Sequence, residues 1–122
     1  QVITATGLDE QSLEAAVASA RNQIAFYAST PAYLPVLQVH GWEGLQAEAN
    51  GLIREGRWLE LADLVDEDML RTFAEVGTPG EFAQQIVARY SGKAHRVSPV
   101  VYQPDLPLLV TLRDEIAAVA GG

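Results

Sequence analysis

The residues best suited to chemistry gather between Ile24 and Trp42, a stretch reading IAFYASTPAYLPVLQVHGW. Within it Tyr27, Ser29, Thr30 and Tyr33 form a polar and aromatic cluster where one helix gives way to the next. Their hydroxyls, with the free N–H groups that open the second helix, could receive an anionic ligand. Helix capping beside two half-buried rings also accounts for the same residues. His40 closes the second helix. Its imidazole suits proton donation near a cofactor or a hold on a phosphate or carboxylate, and equally a helix-terminal position packed by Trp42. His95, flanked by Lys93 and Arg96, reads as the solvated start of a strand. Asp66, Glu67 and Asp68 sit too close together and lack a suitable histidine, so they read as favourable charges at a helix start rather than metal ligands. No catalytic group and no metal site is assigned.

The elements that must position this cluster follow from periodicity and punctuation. Gln1–Thr6 is β-branched and bounded by Gly7, the pattern of a strand and turn. Asp9 caps a helix over 10–28, with Ser12 three residues on and Leu13, Ala16, Val17, Ala20, Ile24 and Tyr27 at helical spacing. Thr30 and Pro31 start another helix; Pro35 either kinks it at 34–35 or delays its regular part to that point. Glu43–Glu55 and the residues around Trp58–Val65 read as two further helices, and Asp66 can cap one holding Met69, Leu70 and Phe73. Trp42 and Trp58 read as core or interface anchors. Thr78, Pro79 and Glu81 spell a capping box for a helix ending at Ser91-Gly92. His95–Tyr102 is the second strand candidate, made awkward by Pro99, and a last helix opens near Asp105 and Pro107.

Two strands so far apart in sequence form at best a minimal parallel pair, which is not stable by itself. They call for neighbours, in a larger α/β protein or in an oligomer. Gln1 in place of an initiating Met fits a segment of a longer chain.

The 122 residues suffice for one modest domain, with 48% hydrophobic and 20% charged residues. A net charge of −8 with only eight Lys and Arg argues against a nucleic-acid partner. The absence of cysteine excludes a disulfide frame, a thiolate nucleophile and cysteine-ligated metals, and fits a reducing cytoplasm. No apolar run approaches the roughly 18–20 residues of a membrane span, so no membrane role is expected.

The run Ala25–Trp42, then REGRW (Arg54–Trp58), DEDML (Asp66–Leu70), and GTPGEFAQQIVARYSG (Gly77–Gly92) followed by HRVSP, resembles in that order the C-terminal third of luciferase-like oxidoreductases, in particular the group that works with coenzyme F-420. The resemblance implies an α/β, mainly helical segment holding the last two β/α units of a TIM-type (β/α)8 barrel. Their strands would be Val2–Thr6 and Arg96–Tyr102, in a single domain spanning 1–122 with a helical insertion over about 30–76. It further implies a parent that passes hydride between a deazaflavin (coenzyme F-420) or, alternatively, FMN and a small organic substrate. Tyr27, Ser29, Thr30, Tyr33 and His40 are the candidate cofactor contacts. Most residues that hold the ring in this family come from earlier strands, so the segment alone should be catalytically silent. Two departures stand out: Gly80 where the family usually has Glu, and Glu75 where an apolar residue is common. The rival expectation is a non-catalytic, mainly helical module whose aromatic residues serve an oligomer interface. Either way a homo-oligomer is expected.

Overall fold

The computed structural model describes residues 1–102 and 104–121. The chain divides into two compact units, one built from 1–20 with 73–122 and the other from 21–72.

The first unit holds a three-stranded parallel sheet: β1 (Val2–Ala5), β2 (Ala74–Val76) and β3 (Pro99–Val101), in the order β2-β1-β3. Ile3 is in register with Ala74 and with Val100, and Thr4 with Glu75 and with Val101. The sequence predicts two strands; the third is β2. It is three residues long, has a glutamate at its centre and follows the preceding helix with no Gly or Pro break, so no periodic or turn signal marks it. The described residues therefore carry three strands rather than two. β3 is shorter than the expected strand, and Pro99 stands at its start. The Val2 N–H donates to the Ser98 carbonyl (3.0 Å), so alternate β3 residues serve the ladder to β1 and Pro99 falls on the outward edge, where its missing N–H costs no bond.

β1 leads through Gly7 into α1 (Glu10–Ala28). A Cβ on Gly7 would lie 2.5 Å from the Leu13 nitrogen, so only glycine permits this tight entry. Asp9 caps α1 as expected: its Oδ1 accepts from the Ser12 N–H at 2.7 Å, and its own N–H donates to Ser12 Oγ at 3.2 Å. The bond from Ser12 holds the Asp9 carboxyl below the ordinary aspartate range. A carboxyl lowered on folding stabilises above its unfolded pKa and loses that contribution as pH falls through the folded value. The acid-induced loss of stability should thus be smaller in Asp9→Asn than in the wild type, as read by urea midpoints taken at neutral and acid pH.

Two helices of this unit, α5 (Pro79–Tyr90) and α6 (Leu106–Gly121), cover the sheet face that carries Val2. Val2, Phe82, Ile86, Leu108 and Leu112 are the core, with Tyr90, Val97, Val101 and Ile116 packed around them. α5 starts as its sequence predicts. Thr78 Oγ1 accepts from the Glu81 N–H and Glu81 Oε1 accepts from the Thr78 N–H, both at 3.3 Å. Asp105 Oδ1 caps α6 by accepting from the Leu108 N–H at 2.8 Å. Strand alternation places Thr4 and Glu75 on the face of Val2, and Glu75 there meets Arg89 of α5 in an ion pair. On the free edge of β2, Gln85 receives the Val76 N–H at 3.2 Å and donates to the Val76 carbonyl at 2.8 Å. The carboxamide stands in for a missing strand.

Gly80, where the resemblance leads one to expect Glu, lies with the Glu115 carboxylate 3.6 Å from the site of an added Cβ. That is ordinary contact for a methyl group, whereas a glutamate would bring a second carboxylate to Glu115. Gly80→Ala should therefore raise stability by roughly 0.5–1 kcal/mol through helix propensity, measured as a higher urea midpoint.

The second unit is helical. After the end of α1 come a 3-10 turn (Pro31–Tyr33), α2 (Leu34–Val39), α3 (Gly44–Arg54), a 3-10 stretch (Trp58–Leu64) and α4 (Glu67–Phe73), whose last residue already belongs to the sheet unit. The regular helix begins at Leu34, so Pro35 occupies its first turn and causes no kink. The stretch at Trp58 is 3-10 rather than α, and the Trp58 ring is exposed. Leu37, Leu45, Ala49, Leu61, Val65 and Leu70 are buried. Arg21 ties the ends of this unit together, donating to the Val65 carbonyl at 3.2 Å and to Glu67 at 3.0 Å.

Candidate functional site

The cluster at the end of α1 is built by chain termination. The Ser29 hydroxyl turns back to donate to the Phe26 carbonyl at 2.6 Å, and the Thr30 N–H donates to the Tyr27 carbonyl at 3.0 Å. These bonds satisfy last-turn carbonyls and stop the helix. Asn50 of α3 donates to the Ser29 carbonyl at 3.0 Å and anchors the junction. Thr30 is extended (φ −84°, ψ 126°), and Pro31 then fixes the start of the 3-10 turn, closed by the Tyr33 N–H on the Thr30 carbonyl at 3.0 Å.

This reversal brings Tyr27 and Tyr33 together, ring centroids 5.5 Å apart and tilted by 56°. Phe26 continues the row, 6.4 Å from Tyr27 and edge-on to it. All three rings reach solvent, Tyr27 at 39% and Tyr33 at 44% exposure. Ser29 is buried with its hydroxyl committed to the backbone, whereas the Thr30 side chain makes no capping bond. Sequence reading omits Phe26 and Asn50. An apolar residue one step off the helix's inward stripe is the signal that could have found Phe26. Asn50 carries no local signal, because its partner lies 21 residues away.

His40 does not join the cluster. It sits at the other end of α2, about 10 Å along the helix axis from Tyr33. Its ring stacks on Trp42, centroids 4.9 Å apart and planes 21° from parallel. Trp42 is fixed in turn by its N–H on the Leu37 carbonyl at 2.9 Å. The packed, helix-terminal arrangement is the one the structure adopts.

Chemically, the junction offers accessible aromatic faces, two phenol groups and the Thr30 hydroxyl. Tyr27, Ser29, Thr30 and Tyr33 include no carboxylate, imidazole or thiol, so this set can bind but carries no acid–base pair for proton transfer near neutral pH. Among the described residues, no group of three or more His, Asp or Glu could hold a metal ion. None of the described helices is long and apolar enough to cross a membrane.

Parallel strands covered by helices on the face of Val2, followed in sequence by capped helices, define an α/β segment of mainly helical content. A family model described as luciferase-like monooxygenase matches residues 2–96, and the chain belongs to that family. It is 43% identical over 100 residues to an uncharacterized protein of Mycobacterium bovis and to uncharacterized proteins of two Mycobacterium tuberculosis strains. Each match covers 82% of this chain and 29% of the relative, so the chain spans under a third of the length of the curated relatives it matches. No solved structure gives a significant match. Luciferase-like proteins typically use flavin-type cofactors. Of the candidate contacts, Tyr27 and Tyr33 present exposed rings, and Thr30 is half-buried with its side chain making no capping bond. Ser29 fits poorly because its hydroxyl is spent, and His40 lies a helix away.

Proposed function

We propose that this chain is the C-terminal part of a luciferase-like oxidoreductase that works with coenzyme F-420, or alternatively FMN, on a small organic substrate, and that the segment alone is catalytically silent. The family match across residues 2–96, together with relatives of which the match covers only 29%, carries this reading. When bound, the coenzyme ring accepts or delivers a hydride. This chain's own share is positioning: Tyr27 and Tyr33 lie against the coenzyme or substrate, Thr30 supplies a hydroxyl, and the Ser29–Asn50 bond holds the junction in shape.

A parent sheet that extends beyond this segment is supported by its apolar margin. A groove of about 460 Å³ runs between β3 and α6, lined by Val101, Leu109, Leu112 and Ile116 among others, and Leu106 and Leu109 stay exposed beside it. In a barrel whose strands follow chain order, β2 would stand between β1 and β3. The order here places β1 in the centre. Closure of a (β/α)8 barrel in the parent would therefore require a strand order other than the one this segment adopts.

In the longer natural chain, Tyr27→Ala and Tyr33→Ala should each weaken coenzyme binding about fivefold, near 1 kcal/mol for one lost aromatic contact. Unchanged affinity in both variants, read by coenzyme fluorescence, would remove this cluster from the cofactor site. A second reading, a helical module that assembles with copies of itself, is favoured by Val39, Trp58 and Leu59, all exposed in the second unit and Leu59 almost fully so at 96%. Sedimentation showing a strict monomer at high concentration would sink it.

A further inference from the structure

We propose that the N-terminal end of β3 carries a binding site for a small amphiphilic carboxylate, separate from the aromatic junction and independent of the coenzyme reading. The site is an open cavity of about 320 Å³ in the sheet unit, bordered by the end of α5, the segment leading into β3 and the last turns of α6. Its floor is apolar, with Ile86, Val97 and Ile116, while His95 and Arg96 stand at its rim. This volume is near the lower end of small-ligand pockets, roughly 300 Å³ and upward.

Charge selects the ligand class. The chain has sixteen acidic residues, yet residues 82–104 contain none and hold Arg89, Lys93, His95 and Arg96. Arg89 is taken by Glu75. Among the described residues, Lys93 and Arg96 form no ion pair, and no carboxylate lines the cavity. The acids of α6 are occupied elsewhere: Asp114 pairs with Arg113, and the Glu115 carboxylate lies by Gly80 at the opposite end of α5. The carbonyls that end α5 would repel an anion if free, but Val87 and Tyr90 accept from the N–H groups of Ser91, Lys93 and Ala94. What remains is a basic rim over an apolar floor. Inorganic phosphate would use only the rim, and a neutral alcohol only the floor. A short alkyl or aryl carboxylate uses both.

Octanoate, octan-1-ol and inorganic phosphate serve as probes, each titrated into the ¹⁵N-labelled protein and followed by amide shifts. Octanoate should saturate and move signals confined to residues 86–97 and 116–120. Octan-1-ol should bind at least fivefold more weakly, and phosphate should not saturate. The double variant His95→Ala/Arg96→Ala changes two exposed residues and should lose at least fivefold in octanoate affinity. Ala120→Trp, which fills the cavity from an exposed position, should abolish binding. Equal binding of octanoate and octan-1-ol, shifts scattered over the chain, or full affinity in either variant would overturn the site.

Discussion

Arg89→Ala is expected to destabilise the protein by about 2 kcal/mol, and most of that cost should vanish when Glu75 is replaced as well. The Glu75 side chain is only 8% exposed and meets Arg89 across the sheet–helix interface. Removing one partner of a buried pair typically costs about 3–5 kcal/mol because a carboxylate is left buried and unpaired. Arg89 is itself 45% exposed, so water reaches part of the vacated space and the smaller figure applies. Glu75→Leu alone should be neutral or stabilising by about 1 kcal/mol, since an apolar residue suits a buried strand position. In the Glu75→Leu background, Arg89→Ala should cost no more than about 0.5 kcal/mol. Urea unfolding of the four proteins measures the coupling, and fully additive costs would contradict it. The hydrogen bond that Arg89 donates to the Glu75 carboxylate raises the Arg89 pKa above its already high value. A raised pKa stabilises below the unfolded value, and that contribution is lost only as pH rises through the folded one. The arginine's contribution should therefore be flat across neutral pH and fade only in strong alkali.

Phe82→Ala should cost more, about 3–5 kcal/mol. Phe82 is wholly buried in the core where α5 and α6 meet β1. Against a typical domain stability of about 5–15 kcal/mol, this loss brings the sheet unit close to unfolding. Phe82→Leu keeps most of the volume and should cost under about 1.5 kcal/mol. Leu59→Ala, at a position almost fully exposed, should shift the urea midpoint by no more than the equivalent of about 0.5 kcal/mol. A Phe82→Ala protein as stable as Leu59→Ala would mean that the core has been misplaced.

Helix starts are the best-written part of this chain. Asp9, Asp66, Thr78 and Asp105 each bond an N–H three residues on, because a cap is a local event between near neighbours. What depends on distant partners is not legible. β2 exists because β1 lies alongside it, and Glu75 is buried because Arg89 comes to it from fourteen residues away. The strand order is likewise a matter of tertiary packing, and nothing in three short strands dictates which of them stands in the centre. At the candidate site, the sequence shows a junction rich in hydroxyls and rings. It does not show that the Ser29 hydroxyl would be spent on the Phe26 carbonyl, whereas the helix-terminal position of His40 packed by Trp42 is one of the readings its sequence context offers.

The central claim is that this segment belongs to a larger coenzyme-dependent oxidoreductase and cannot act alone. Titrating coenzyme F-420, and FMN in parallel, with the longer natural chain and with the 122-residue segment tests it directly through coenzyme fluorescence. A saturating change is expected with the longer chain for one of the two coenzymes and none with the segment. No response from the longer chain to either coenzyme, at protein concentrations well above the micromolar range, would contradict it.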